Sequence, residues 1–170
     1  MRPSPHLTAA GAATPLTGVD RYVAFLVAGR QFVVPAAEVA EVLRDGRVNN
    51  VPRAPESLAG LLNLRGRIVP VIDLRRRLGL PSIGSGTERP AATVHLVLQA
   101  TDEWSSLLVD EILDVIEINA SSFEPVVAQQ QTDATDATTA VYASPDGLMY
   151  LLDIRQVLRP TSRPRPTTAS

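Results

Sequence analysis

The chain has 170 residues, 45% hydrophobic and 20% charged, with a formal net charge of −2 and no cysteine. That is apolar material for one sizeable core or two small ones sharing an interface, and the missing thiols exclude disulfides, cysteine nucleophiles and cysteine-ligated metals together. The net charge hides an asymmetry: from Arg21 to Arg89 eleven arginines face six acids, from Pro90 to Asp153 eleven acids face no base, and four arginines follow Asp153. A sign change of that kind points to two surfaces for two partners.

The N-terminus MRPSPHLTAAGAATPLTG contains no continuous apolar stretch of the signal-peptide kind, and the longest apolar run, YVAFLVA at Tyr22–Ala28, is too short to span a bilayer. A cytoplasmic protein that does not insert into the membrane is expected, with residues 1–19 and 161–170 as disordered Pro/Thr/Ala-rich tails around a folded region at 20–160. RYVAFLVA and QFVV, on either side of Gly29 and Arg30, read as a hairpin. In VPAAEVAEVL, Pro35 suits a first helical turn or a strand edge. After a loop with Pro52 and Pro55 come LAGLLNL, an Arg65-Gly66 turn and RIVPVI, a buried strand whose Pro70 places it near an edge or a bulge. Asp73 fits the N-cap of a short helix, LRRRL, ending at Gly79. Two low-complexity stretches, Pro81–Ala92 and Ala128–Ala140, read as loops.

The second half repeats this grammar. EILDVI at Glu111–Ile116 matches EVAEVL at Glu38–Leu43 with an offset of 73, and DIRQVL at Asp153–Leu158 matches DLRRRL at Asp73–Leu78 with an offset of 80. Two matches in the same order imply an internal duplication. Short strands with Gly/Pro turns then favour a mainly β fold of two pseudo-symmetric barrels, about five strands each, with a few short helices and a hydrophobic shared interface.

Enzyme chemistries fare poorly. Of two histidines, only His95 lies in the folded region, where it alternates like an ordinary strand residue and cannot anchor a zinc site alone. The repeat-related Asp73 and Asp153 suggest an acid/base pair of a hydrolase, but each precedes a helix and reads better as a cap. There is no G-x-S-x-G, and GSG at Gly84–Gly86 lacks the Lys-Ser/Thr ending of a phosphate loop. RRR at Arg75–Arg77 has the charge for phosphates, yet the acidic second half repels nucleic acid and a solvated helix face is the ordinary reading. Neither nucleic acid nor a cofactor is expected. What remains is protein binding, with Arg65 projecting a guanidinium fork from a stiff turn.

Val51–Leu80, VPRAPESLAGLLNLRGRIVPVIDLRRRLGL, resembles the signature of the CheW family of bacterial chemotaxis coupling proteins, and FVVPAAEVAEVL, SSLLVDEILDVIEINASSFEPV and GLMYLLDIRQVL are similar to the family in the right order. The resemblance runs from Arg21 to about Leu158. It implies two SH3-like five-stranded barrels and a stand-alone, non-enzymatic adaptor between the cytoplasmic helical hairpin of chemoreceptors and the regulatory domain of a CheA-type histidine kinase, peripheral to receptor arrays of the inner membrane. It implies Val39, Glu41, Gly60, Asn63, Arg65 and Gly66 as receptor-facing residues and fixes no residue for the kinase. A coupler for surface sensing or pilus control fits the same residues. Ser106 stands where many members have glycine, and three outcomes stay open for its side chain: a narrowed groove, a changed receptor preference or simple tolerance of a small residue.

Overall fold

The computed structural model describes residues 18–80, 93–100, 102–126 and 137–159. Residues 1–17 of the expected N-terminal tail, the tail 161–170, the loop 81–92 and residues 128–136 of the second loop lie outside them; Val19, expected in the tail, and residues 138–140, expected in the second loop, begin strands. Strands β1 (Val19–Val27) and β2 (Arg30–Pro35) form the first hairpin, followed by a 3-10 turn (Ala36–Glu38), β3 (Val39–Leu43), the two-residue β4 (Val48–Asn49), β5 (Leu58–Leu64), β6 (Arg67–Asp73) and α1 (Leu74–Arg77). The series recurs as β7 (Val94–Ala100), β8 (Glu103–Val109), β9 (Glu111–Asn119), a 3-10 turn (Ala120–Ser122), β10 (Glu124–Pro125), β11 (Thr138–Ser144), β12 (Gly147–Leu152) and α2 (Ile154–Leu158).

The strands form two six-stranded sheets, ordered β3-β7-β8-β6-β5-β4 and β10-β11-β12-β2-β1-β9, each curled into a small SH3-like barrel. The halves of the sequence are not the two barrels. Hairpin β1–β2 sits in the sheet built by β9–β12, and hairpin β7–β8 in the sheet built by β3–β6, so each repeat hands its opening hairpin to the other. The attachments are the same in both cases: β6 runs parallel to β8 through Val71↔Ser106, and β12 runs parallel to β2 through Met149↔Gln31.

This exchange explains the two most apolar stretches. Strand side chains alternate between faces, and β1 is buried on both: Tyr22 and Ala24 line the interior of one barrel, while Val23, Phe25 and Val27 face the other sheet. In β7, Val97 lines the second barrel and Val94, Leu96 and Leu98 face back across the junction. Among the described residues the junction holds seventeen buried side chains against six and five in the barrel interiors. At about 1.5–3 kcal/mol for each fully buried aliphatic or aromatic side chain, most of the apolar stabilisation lies between the barrels.

The helices follow the expected caps. Asp73 accepts from the Arg76 amide at 3.2 Å, and Asp153 from the Arg155 and Gln156 amides at 2.9 and 3.3 Å. Their own amides donate to the Ser57 and Ala137 carbonyls, each at 2.8 Å, a pair separated by the same 80 residues as the aspartates. Both carboxylates serve as caps, each at the head of its own helix.

Two expectations need correction. β6 is an internal strand, not an edge; Pro70 is accommodated because the ladder to β8 begins only at Val71, and the register shift lies in the partner strand between Leu58 and Gly60. The triple arginine is no solvated face either. Arg75 pairs with Asp110, whose carboxylate also accepts the Ala28 amide at 2.8 Å, tying α1 to the β1–β2 turn. Arg77, 5% exposed, donates through Nε to the Val157 carbonyl at 2.9 Å and through Nη2 to the Gln156 carbonyl, satisfying the last carbonyls of α2. Only Arg76 is exposed, 3.5 Å from Asp73.

Removing a buried donor leaves its acceptors desolvated and unpaired. Arg77→Ala is therefore expected to lower the free energy of unfolding by about 2–4 kcal/mol, and Arg76→Ala by less than about 0.5 kcal/mol; urea denaturation of the two variants side by side checks the contrast.

Candidate functional site

The hairpin β5–β6 turns through two residues, Arg65 (φ 52°) and Gly66 (φ 84°), with Leu64 paired to Arg67. Both central residues lie in the left-handed region, the type I′ geometry that matches the twist of a two-residue hairpin. Gly66 adopts it freely, whereas an arginine there costs about 1–2 kcal/mol. Side chains on both flanks hold the turn. The Asn63 Oδ1 accepts the Gly66 amide at 2.8 Å, and Arg65 Nη2 lies 2.8 Å from Glu41 Oε2.

The Arg65–Glu41 pair crosses the mouth of the barrel. Glu41 is on β3, at one end of the sheet order, and Arg65 joins β5 to β6 near the other. The Glu41 side chain, 21% exposed, lies on the same face as Leu43, which packs on the barrel interior; Arg65 remains 76% exposed. A guanidinium with one edge on a half-buried carboxylate and the rest in solvent is aimed without being neutralised by burial, and its remaining N–H groups can reach a partner's acceptor.

The other expected residues separate into contact and support. Val39 opens β3 half-buried, packed against the junction core. Asn63 and Gly66 are exposed at the turn. Gly60 is buried at φ 150°, where a Cβ would stand 2.3 Å from the Asn49 carbonyl oxygen and 2.6 Å from Val48 Cγ1. Its place in the structure is a strand crossing beneath β4 at the register shift, a backbone role. Ser106 is fully buried inside the barrel, with Oγ 3.2 Å from Nδ1 of the buried His95.

Two residues near the turn were missed. Arg67 stacks its guanidinium 4.6 Å from the ring centroid of Trp104, at the start of β8. A sole tryptophan and a second arginine after Gly66 were the available signals, but their proximity depends on the parallel β6–β8 pairing, which no local pattern announces. No group of three or more His, Asp or Glu side chains that could hold a metal occurs among the described residues, and no helix among them is long and apolar enough to cross a membrane.

The geometry gives Gly60 a backbone role where β4 crosses β5. Gly60→Ala drives a Cβ into backbone and is expected to destabilise the fold by more than about 2 kcal/mol, read as a fall in denaturation midpoint; an unchanged midpoint contradicts the backbone role.

Residues 21–161 match the model of the CheW-like domain. The chain is 27% identical to Chemotaxis protein CheW of Bacillus subtilis over 139 residues, covering 82% of this chain and 86% of that one. It is 32% identical to Protein PilI of Pseudomonas aeruginosa over 101 residues, 59% of this chain and 54% of that one. The crystal structure of the scaffolding protein TtCheW from Thermoanaerobacter tengcongensis superposes with a TM-score of 0.68 at 27% identity, covering 79% of this chain and 88% of that one. With the duplicated barrels and the Asn63–Gly66 turn on the same frame, the chain belongs to the CheW-like family, the coupling scaffolds of chemotaxis-type pathways.

Proposed function

We propose that this chain is a non-enzymatic adaptor that joins the cytoplasmic helical hairpin of chemoreceptors to the regulatory domain of a CheA-type histidine kinase, working in the cytoplasm beside membrane-bound receptor arrays. The observation that carries the receptor half is the Arg65 turn. A strained left-handed arginine, 76% exposed, offers folding one partly exposed ion pair to Glu41, worth about 0–1 kcal/mol, against strain of about 1–2 kcal/mol that a glycine would avoid. The second repeat supports the same reading. Its corresponding hairpin turns through Pro145 and Asp146, where proline's fixed negative φ replaces the left-handed turn and no guanidinium is presented. The scaffold is duplicated and the arginine is not.

Asn63 and Gly66 shape the turn, Glu41 aims the guanidinium, and Val39 and Gly60 fix the strands beneath. Asp73 and Asp153 are committed to helix caps, which speaks against the hydrolase alternative. The likeness to Protein PilI, at 32%, supports a second reading in which the same coupling serves surface sensing or pilus control.

Arg65→Glu is expected to weaken binding of a purified receptor signalling fragment by about 2–5 kcal/mol, the range for losing a charged hydrogen-bonded interface contact, with kinase binding retained. Titration calorimetry with each partner separates the two effects; unchanged receptor affinity removes Arg65 from the interface.

A further inference from the structure

Arg65 is one of two arginines at the mouth of this barrel. Arg67 begins β6 on the face that carries Val69 and Val71 into the barrel interior, so its side chain lies over the end of that core. There it meets Trp104, whose ring packs partly on the same interior. The backbone of Arg67 is fixed by its pairing with Leu64 across the type I′ turn. The two arginines thus flank Gly66 on one rigid tip, one steadied by the Glu41 carboxylate and the other by an indole face.

The supports differ in what they leave available. Glu41 neutralises part of Arg65. Trp104 holds the guanidinium carbon of Arg67 over its ring, a contact that uses none of the N–H donors, and Arg67 is exposed. No acidic side chain lies within ion-pair distance of Arg67 among the described residues. A guanidinium held over an aromatic ring loses less rotamer freedom on binding than a free one, so a contact made through it retains more of its gross energy.

We propose that Arg67, stacked on Trp104, is a second carboxylate-recognition group beside Arg65, and that the receptor hairpin presents acidic side chains to both arginines. The proposal rests on the receptor reading of the Arg65 turn and adds to it the chemistry of the partner and two further residues. Trp104 is a positioning residue that also becomes covered by the partner. Salt sensitivity follows, because two exposed cations meet carboxylates across the interface.

The test measures the affinity of the full chain for the purified cytoplasmic signalling domain of a chemoreceptor from the same genome, with thermal unfolding run on every variant. Arg67→Glu is expected to weaken binding fivefold or more without moving the unfolding midpoint, and to flatten the salt dependence. Trp104→Phe, which keeps an aromatic face, is expected to stay within twofold of the unmodified chain, while Trp104→Leu loses severalfold. Because Trp104 is the sole tryptophan, acrylamide quenching of its fluorescence reads its coverage directly, and protection on adding the receptor domain is expected. If Arg67→Glu binds within fivefold of the unmodified chain, or Trp104 is quenched equally in the free and bound states, the proposal is overturned while an Arg65→Glu loss leaves the receptor reading standing. If the unmodified chain does not bind the receptor domain, both fall together.

Discussion

The packing of hairpin β1–β2 against hairpin β7–β8 is the constraint on which the rest depends. Each hairpin belongs by sequence to one repeat and by hydrogen bonding to the other repeat's sheet, and their facing side chains, with those of α1 and α2, form the largest apolar cluster among the described residues. Neither repeat holds a complete barrel, and a barrel interior of five or six buried residues is too small to offset the ordering of its strands. Folding of one barrel therefore requires the other's hairpin. The buried Arg77, reaching from α1 to the last carbonyls of α2, repeats that logic in hydrogen bonds.

A frame stabilised at its centre can tolerate strain at its ends. The Arg65 turn lies at the tip of a hairpin, and its left-handed arginine costs little against a junction of seventeen buried residues. The ion pair with Glu41, which spans from β3 to the β5–β6 turn, lets the barrel mouth set the direction of the guanidinium. In the second repeat the same frame ends in a Pro-Asp turn. The divergence of two copies at one turn, while caps, parallel strand pairs and backbone bridges stay matched, separates what folding requires from what recognition requires.

Much of this was legible in the sequence. The offsets of 73 and 80 marked the repeat, Asp73 and Asp153 announced their caps, and Arg-Gly between apolar strands announced the turn. The partition of strands was not legible. An apolar hairpin carries no local mark of which sheet it will join, and YVAFLVA reads the same whether its second face meets its own repeat or the other. For the same reason the triple arginine looked solvated: Arg77's acceptors are 79 and 80 residues away, and Arg75's partner is 35 residues away. The backbone constraint on Gly60 was not legible either, because it depends on the Asn49 carbonyl and Val48 side chain of β4 crossing over it.

The central claim is that the Arg65 turn exists for recognition and the Glu41 pair for aiming it. Exchanging the two charges, Glu41→Arg with Arg65→Glu, keeps an ion pair across the barrel mouth and reverses the sign presented to a partner. Paired measurements of unfolding free energy and receptor-fragment affinity on that double variant test the claim most directly. The account predicts stability within about 1 kcal/mol of the unmodified chain, the scale of a partly exposed ion pair, together with at least tenfold weaker receptor binding. Receptor affinity unchanged in a stably folded double variant would contradict it, reducing the turn to a clasp on the barrel.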